Sequence, residues 1–208
     1  MHGLNTFKNL KPNNLIDRLL FEVNLGLENF DKSIEYLKIL NSKKNEDQIS
    51  EAFCVYMTFN GNRKFCFTRE SSQKSNRSVD IGVYFKGGVY IFSIEAKILP
   101  TPISNGREEF EYVYGQGGGI QRFKEEFHGF NSSTQELLTH NGMFGYIKRE
   151  NYQYWIRMIN KWVNDAGWST DEQLCEIDLE SKVGRLESCH LRTRGTSVTL
   201  YHFWILVN

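Results

Sequence analysis

Residues 78–99 constrain the fold more than any other part of the chain. Apolar and polar side chains alternate from Val79 to Phe85, a second and almost continuously apolar run extends from Val89 to Leu99, and Lys86-Gly87-Gly88 joins them. Two strand-like runs separated by a short glycine-bearing turn predict an antiparallel hairpin. Side chains two apart on a strand share a face, so Glu95 and Lys97 point the same way as Ile91 and Ser93. With Lys86-Gly87 as a two-residue turn, Phe85 pairs with Gly88 and Asp80 falls opposite Ser93. Asp80 then lies diagonally beside Glu95, on the same face.

Helical spacing surrounds this hairpin. Leu15, Ile16, Leu19, Leu20 and Val23 follow the turn-forming Lys11-Pro12-Asn13-Asn14, and Ile34, Leu37 and Leu40 follow Asp31, so two helices open the chain. A third starts at Asn45, an N-cap with Gln48 three residues on and Glu46 and Asp47 in the first turn. Its apolar face carries Ile49, Phe53 and Tyr56, and Glu51 sits off that stripe. Lys64 to Phe67 reads as a strand and 71–76 as a polar loop. Gly115-Gln116-Gly117-Gly118-Gly119 leads into a helix start at Ile120, and Met143 to Ile147 reads as a further strand. Tyr152, Trp155, Ile156, Ile159, Trp162 and Val163 form a helical stripe stopped by Gly167, and strand-like pieces follow from Leu174, the clearest over 197–207.

No repeat or linker divides the chain, so the expectation is one domain over 1–208. It would comprise N-terminal helices over 1–45, a motif-bearing core over 46–147, and a C-terminal helix and strands over 148–208. The fold class is α/β, bordering on α+β.

Charge narrows the function classes. Lys+Arg and Asp+Glu number 25 each, which argues against a protein that coats nucleic acid by bulk charge. The balance is uneven locally. Residues 61–77 hold Arg63, Lys64, Arg69, Lys74 and Arg77 against Glu70 alone, whereas 171–180 holds five acids and no base. The cysteines, Cys54, Cys66, Cys175 and Cys189, include no C-x-x-C pair, and the longest apolar stretch is far too short to span a bilayer. Free thiols and the absence of a signal-like run place the protein in the cytoplasm, away from membranes. No H-E-x-x-H, G-x-S-x-G, Walker A or G-x-G-x-x-G pattern is present. The glycine run at 115–119 is either a flexible loop or a set of backbone amides for a phosphate.

Three charges on one face of a hairpin, flanked by Val, Ile and Phe, call for a chemical reason. Two carboxylates about 7–8 Å apart at Cα can grip one hard cation between them. Mg²⁺ takes few protein ligands and leaves positions open for a phosphate oxygen and a water. A lysine two residues from the Glu is placed to orient or deprotonate that water, or to balance transition-state charge. The plain alternative is an edge hairpin carrying a solvated ion pair.

Asp80 followed across a hairpin by Glu95-Ala96-Lys97 resembles the PD-(D/E)XK, or restriction-endonuclease-like, nuclease superfamily. Val79 stands where the family name has Pro, a position that does not bind metal. The resemblance covers roughly residues 46–147. The run from Gly117 to Phe123, with His128-Gly129 and Gly142 to Tyr146, resembles small restriction-like and phage-defence proteins. It implies a restriction-endonuclease-like core, a mixed central sheet with flanking helices.

The same resemblance implies a Mg²⁺-dependent nuclease acting on DNA, with Mn²⁺ as a possible substitute, RNA as the other candidate polymer, and a homodimer or larger defence complex as assembly. Asp80 and Glu95 would hold metal with the Ala96 carbonyl, and Lys97 would serve the water. Glu51 fits the family's helix acid, and Gln121 and Arg122 its later helix residues, with Gln116 a further candidate. Arg69, Lys74 and Arg77, with Arg122 and Lys124, are expected on the rim of the same cleft, contacting phosphates. The rival from another class is a non-catalytic module on the same fold that binds nucleic acid or a partner.

Overall fold

The structure, a computed structural model, describes residues 15–39, 45–73, 77–103 and 106–207. Helices α1 (Leu15–Phe30), α2 (Ile34–Ile39) and α3 (Glu46–Asn60) open it. The capping box read at Asn45 forms: its side chain accepts from Gln48 N at 2.8 Å, and Gln48 reaches back to Asn45 N at 3.4 Å. Two amides that no intrahelical carbonyl can reach are thereby satisfied, which fixes where α3 begins.

Strands β1 (Phe65–Ser72), β2 (Ser78–Phe85) and β3 (Val89–Leu99) then form an antiparallel meander. β1 absorbs Ser71 and Ser72, which the polar composition places in a loop. After the short α4 (Gly119–Lys124) and a two-stranded excursion, β4 (Phe130–Asn131) with β5 (Glu136–Leu137), strand β6 (His140–Ile147) lies parallel to β3. Helix α5 (Tyr152–Asp165) precedes β7 (Cys175–Asp178), β8 (Gly184–Leu191) and β9 (Ser197–Leu206). The result is one mixed seven-stranded sheet in the order β1-β2-β3-β6-β9-β8-β7, with helices against both faces, an α/β architecture. Among the described residues no helix is long and apolar enough to cross a membrane.

Strand parity divides the core in two. Ile81, Ile94, Ala96, Ile98, Phe144, Phe203 and Ile205 face α1 and α3, whereas Leu99, Met143, Leu200 and Trp204 face α4 and the tryptophan stripe of α5. Asp80, Glu95 and Lys97 alternate with the first set, so they belong to the second face.

The segment before α4 is anchored there by a buried polar chain. Trp204 Nε1 donates to Tyr112 OH at 2.8 Å, and Tyr112 OH lies 2.8 Å from His202 Nδ1. Ser188 Oγ links the other side of that ring to His190, 2.8 Å from His202 Nε2 and 2.7 Å from His190 Nε2. Burial, followed by the nearby His190, holds His202 well below the ordinary histidine range. This chain fixes the place of Tyr112.

Gly119, Ile120 and Gln121 donate their amides to the carbonyls of Glu111, Tyr112 and Val113. The glycine run is a packing device. A Cβ on Gly118 would stand 2.6 Å from the Tyr114 main chain, and one on Gly117 would stand 2.8 Å from the Glu111 carboxyl. The amides of the first turn of α4, which a phosphate at a helix start would need, are thereby already spent.

Candidate active site

The hairpin brings the three charged residues of the motif together by a different count from the one the sequence suggests. Phe85 pairs with Val89 across a three-residue turn, and a bulge at Ile91 leaves Val83 opposite Phe92 and Ile81 opposite Ile94. Continuing that register by one step sets Asp80 directly across from Glu95 rather than Ser93. Turn and bulge each add one residue, so the sum keeps its parity and the shared face survives. Gly87 and Gly88 make the longer turn possible, both with positive φ, at 94° and 82°.

Glu46, Asp80, Glu95, Lys97, Arg107, Glu111, Gln116 and Arg122 line a cleft of about 370 Å³ on this face. Glu95 is only 1% exposed. Its Oε1 receives Lys97 Nζ at 2.8 Å and Arg122 Nη1 at 2.7 Å, and its Oε2 lies 3.2 Å from His128 Nδ1. Oε2 and both His128 nitrogens are buried without a hydrogen bond of good geometry. Burial alone would raise the Glu95 pKa, but Lys97, His128 and Arg122 outweigh it and hold the carboxylate below its ordinary range. Burial likewise works against the Lys97 ammonium, yet Glu95, Glu46 and Asp80 keep its pKa above the usual lysine value. Lys97 is a fixed cation.

Asp80 behaves oppositely. Burial and the neighbouring Glu95 push it up to about 7, against partial relief from Lys97 and from the Ala96 N–H, which donates to Asp80 Oδ2 at 2.7 Å. A carboxylate that gives up its proton only near neutrality, beside one that is always charged, is an arrangement ready for a cation.

Several expected residues lie elsewhere. Glu51 is exposed and does not line the cleft. Five residues along a helix turn a side chain about 140°, and it is Glu46, at the first turn of α3, that faces Lys97 at 3.9 Å and accepts from Ile98 N at 3.1 Å. Gln121 is turned to a second pocket, where it accepts from Gly115 N and donates to Glu125; Gln116 lines the cleft instead. Lys124 lines that second pocket too, paired with Glu172 at 2.5 Å and lying 4.4 Å from the Trp168 ring. Lys124 is two residues on from Arg122, so the two project to different sides of α4.

Arg69 is committed within the protein, donating to the Asp80 carbonyl at 3.0 Å and to Asp47 at 3.2 Å, which clasps β2 to the start of α3. Arg77 lies over the Phe127 ring at 3.7 Å. Lys74 falls outside the described residues. Ala96 serves through its N–H. The cleft thus gathers Asp80, Glu95, Lys97, Gln116 and Arg122 from the expected set and adds Glu46, Arg107 and Glu111, with His128 behind Glu95.

Glu95 is the electrostatic hub. Glu95→Gln is expected to destabilise the fold by about 3–5 kcal/mol, because the buried Lys97 ammonium would lose its 2.8 Å counter-charge and keep only the more distant Glu46, at 3.9 Å, and Asp80. Urea unfolding at pH 7 checks this, and a loss below about 1 kcal/mol would show that the cluster relaxes around a neutral side chain. Compared with models of known protein families, with curated proteins and with solved structures, the chain matches none.

Proposed function

We propose that the protein is a divalent-cation-dependent nuclease with a restriction-endonuclease-like core, hydrolysing phosphodiester bonds in DNA in the cytoplasm, in restriction or phage defence. The observation that carries this reading is the convergence of Asp80, Glu95 and Lys97 on one cleft-lining face of the β2–β3 hairpin. The donor set fits a hard cation. Asp80 and Glu95 are the carboxylates that would hold it, and Glu46 stands by to bind its waters. Among the described residues no group of three or more His, Cys, Asp or Glu side chains could hold a metal ion, so the protein would offer a cation two carboxylates at most. Mg²⁺, which keeps several waters and takes one or two carboxylates, suits such a site better than zinc, and Mn²⁺ would substitute.

A bound Mg²⁺ or Mn²⁺ supplies Lewis-acid polarisation of the phosphoryl group and a water of lowered pKa. The protein's own groups do the rest. Lys97, held protonated by Glu95, acts through its charge: it orients the attacking water and offsets the negative charge that builds on the phosphoryl oxygens. Arg122 and His128 keep Glu95 in place for both tasks.

Incubation with DNA and with RNA in Mg²⁺, Mn²⁺ or EDTA, wild type beside Asp80→Ala, tests the reading. Cleavage of DNA that needs the cation and vanishes in the variant is expected. No cleavage of either polymer would turn the reading to the non-catalytic binding module. One observation favours that second reading: Lys97 and Arg122 already occupy Glu95 Oε1.

A further inference from the structure

Lys97 and Arg122 are both spent on Glu95, through short contacts to a carboxylate that is 1% exposed. Arg107, the third cation lining the cleft, is held differently. Its Nε donates to Glu111 Oε2 at 2.8 Å, but its Nη2 stands 3.4 and 3.5 Å from the two Glu46 oxygens, at the outer limit of a hydrogen bond. Its Nη1 has no hydrogen bond to the described residues, and the side chain is 30% exposed. Glu46 is tied more firmly elsewhere, to Ile98 N at 3.1 Å. The Arg107–Glu46 half of this clasp is therefore an ion pair that either partner can leave at small cost.

We propose that Arg107 is the resident counter-ion of the cleft, competing with a divalent cation for the Glu46 side, and that once released it binds a phosphate of the substrate. The second half rests on the nuclease reading. Carboxylates outnumber cations along the cleft, and a phosphodiester anion approaching them is repelled unless a cation faces it. A guanidinium presents a planar fork that matches two phosphate oxygens, and Arg107 has one arm of that fork unoccupied. Its position makes one side chain serve two states: neutralising acids when the cleft is empty, and neutralising substrate when it is filled.

The test uses Arg107→Gln and Arg107→Lys in the full chain, with Mn²⁺ binding measured by calorimetry in the absence of DNA and single-turnover DNA cleavage measured at saturating Mn²⁺. Arg107→Gln should bind Mn²⁺ about two- to fivefold more tightly than wild type, the reach of a partly exposed ion pair. It should also cleave roughly tenfold or more slowly. Arg107→Lys keeps the charge and loses the fork, so its Mn²⁺ affinity should stay near wild type while its cleavage falls. A merely structural arginine would weaken Mn²⁺ binding and cleavage together, and that result, or unchanged Mn²⁺ binding by Arg107→Gln, overturns the proposal while leaving the nuclease reading intact. Tighter Mn²⁺ binding by Arg107→Gln alongside a wild type that cuts nothing would support the counter-ion role and sink the nuclease reading.

Discussion

Asp80→Asn is expected to stabilise the cation-free protein at pH 8 and to abolish cleavage. In the folded chain Asp80 holds its proton up to about pH 7, against an ordinary value of 3.8. Between those values the unfolded chain has already lost the proton that the folded chain keeps, so stability falls as pH rises from about 4 to about 7 and then levels off. Above pH 7 the fold carries the full cost of an ionised Asp80. The gap is worth roughly 4 kcal/mol at most, and partial solvent access to the cleft reduces it to ~1–3 kcal/mol. Asparagine still offers an oxygen to the Ala96 N–H, so the variant sheds the charge and keeps the hydrogen bond. Urea melts in EDTA should show the variant more stable at pH 8, with the difference closing towards pH 4. A variant less stable than wild type at pH 8 would mean that Asp80 is a structural anchor. Function at the expense of stability is the signature of a side chain kept for chemistry.

Lys97→Met is expected to slow single-turnover cleavage in Mg²⁺ by about 10²–10³ while leaving DNA affinity in Ca²⁺ nearly unchanged. Only interactions stronger in the transition state than in the bound substrate raise turnover, and an ammonium aimed at developing phosphoryl charge is of that kind. Methionine preserves the packing of the four-carbon stem. Glu95 keeps the Arg122 guanidinium at 2.7 Å, so its carboxylate still has a cation beside it. Gel shifts in Ca²⁺ and quenched-flow cleavage in Mg²⁺ separate binding from rate. Unchanged cleavage would reduce Lys97 to a buried counter-charge for Glu95 and favour the binding module.

The part of this site legible in the sequence is the part governed by strand parity. Asp80, Glu95 and Lys97 share a face with a two-residue turn and no bulge, and equally with the three-residue turn whose bulge at Ile91 restores the count, and the apolar residues between them fix which face is buried. For Glu46 the helix dipole and the capping box already account for an acid in a first turn, so nothing in the sequence marks it out from Asp47. Its role depends on the angle at which α3 meets β3, a tertiary quantity. The same holds for Arg107 and Glu111, which sit in an irregular segment whose path is set by amide pairing with α4. Lys124 shows the converse error: counting it with Arg122 as one basic patch ignores that two residues on a helix diverge by about 200°. His128 carries a weak signal, a histidine beside a glycine, and only the fold places it against Glu95.

The most direct measurement is a Mn²⁺ titration at pH 8 in which binding and DNA cleavage are followed in the same solutions, for wild type and Asp80→Asn. Wild type is expected to show one class of site and cleavage that rises as that site fills, and the variant neither. Cleavage indifferent to Mn²⁺, or binding and cleavage that persist in Asp80→Asn, would contradict it.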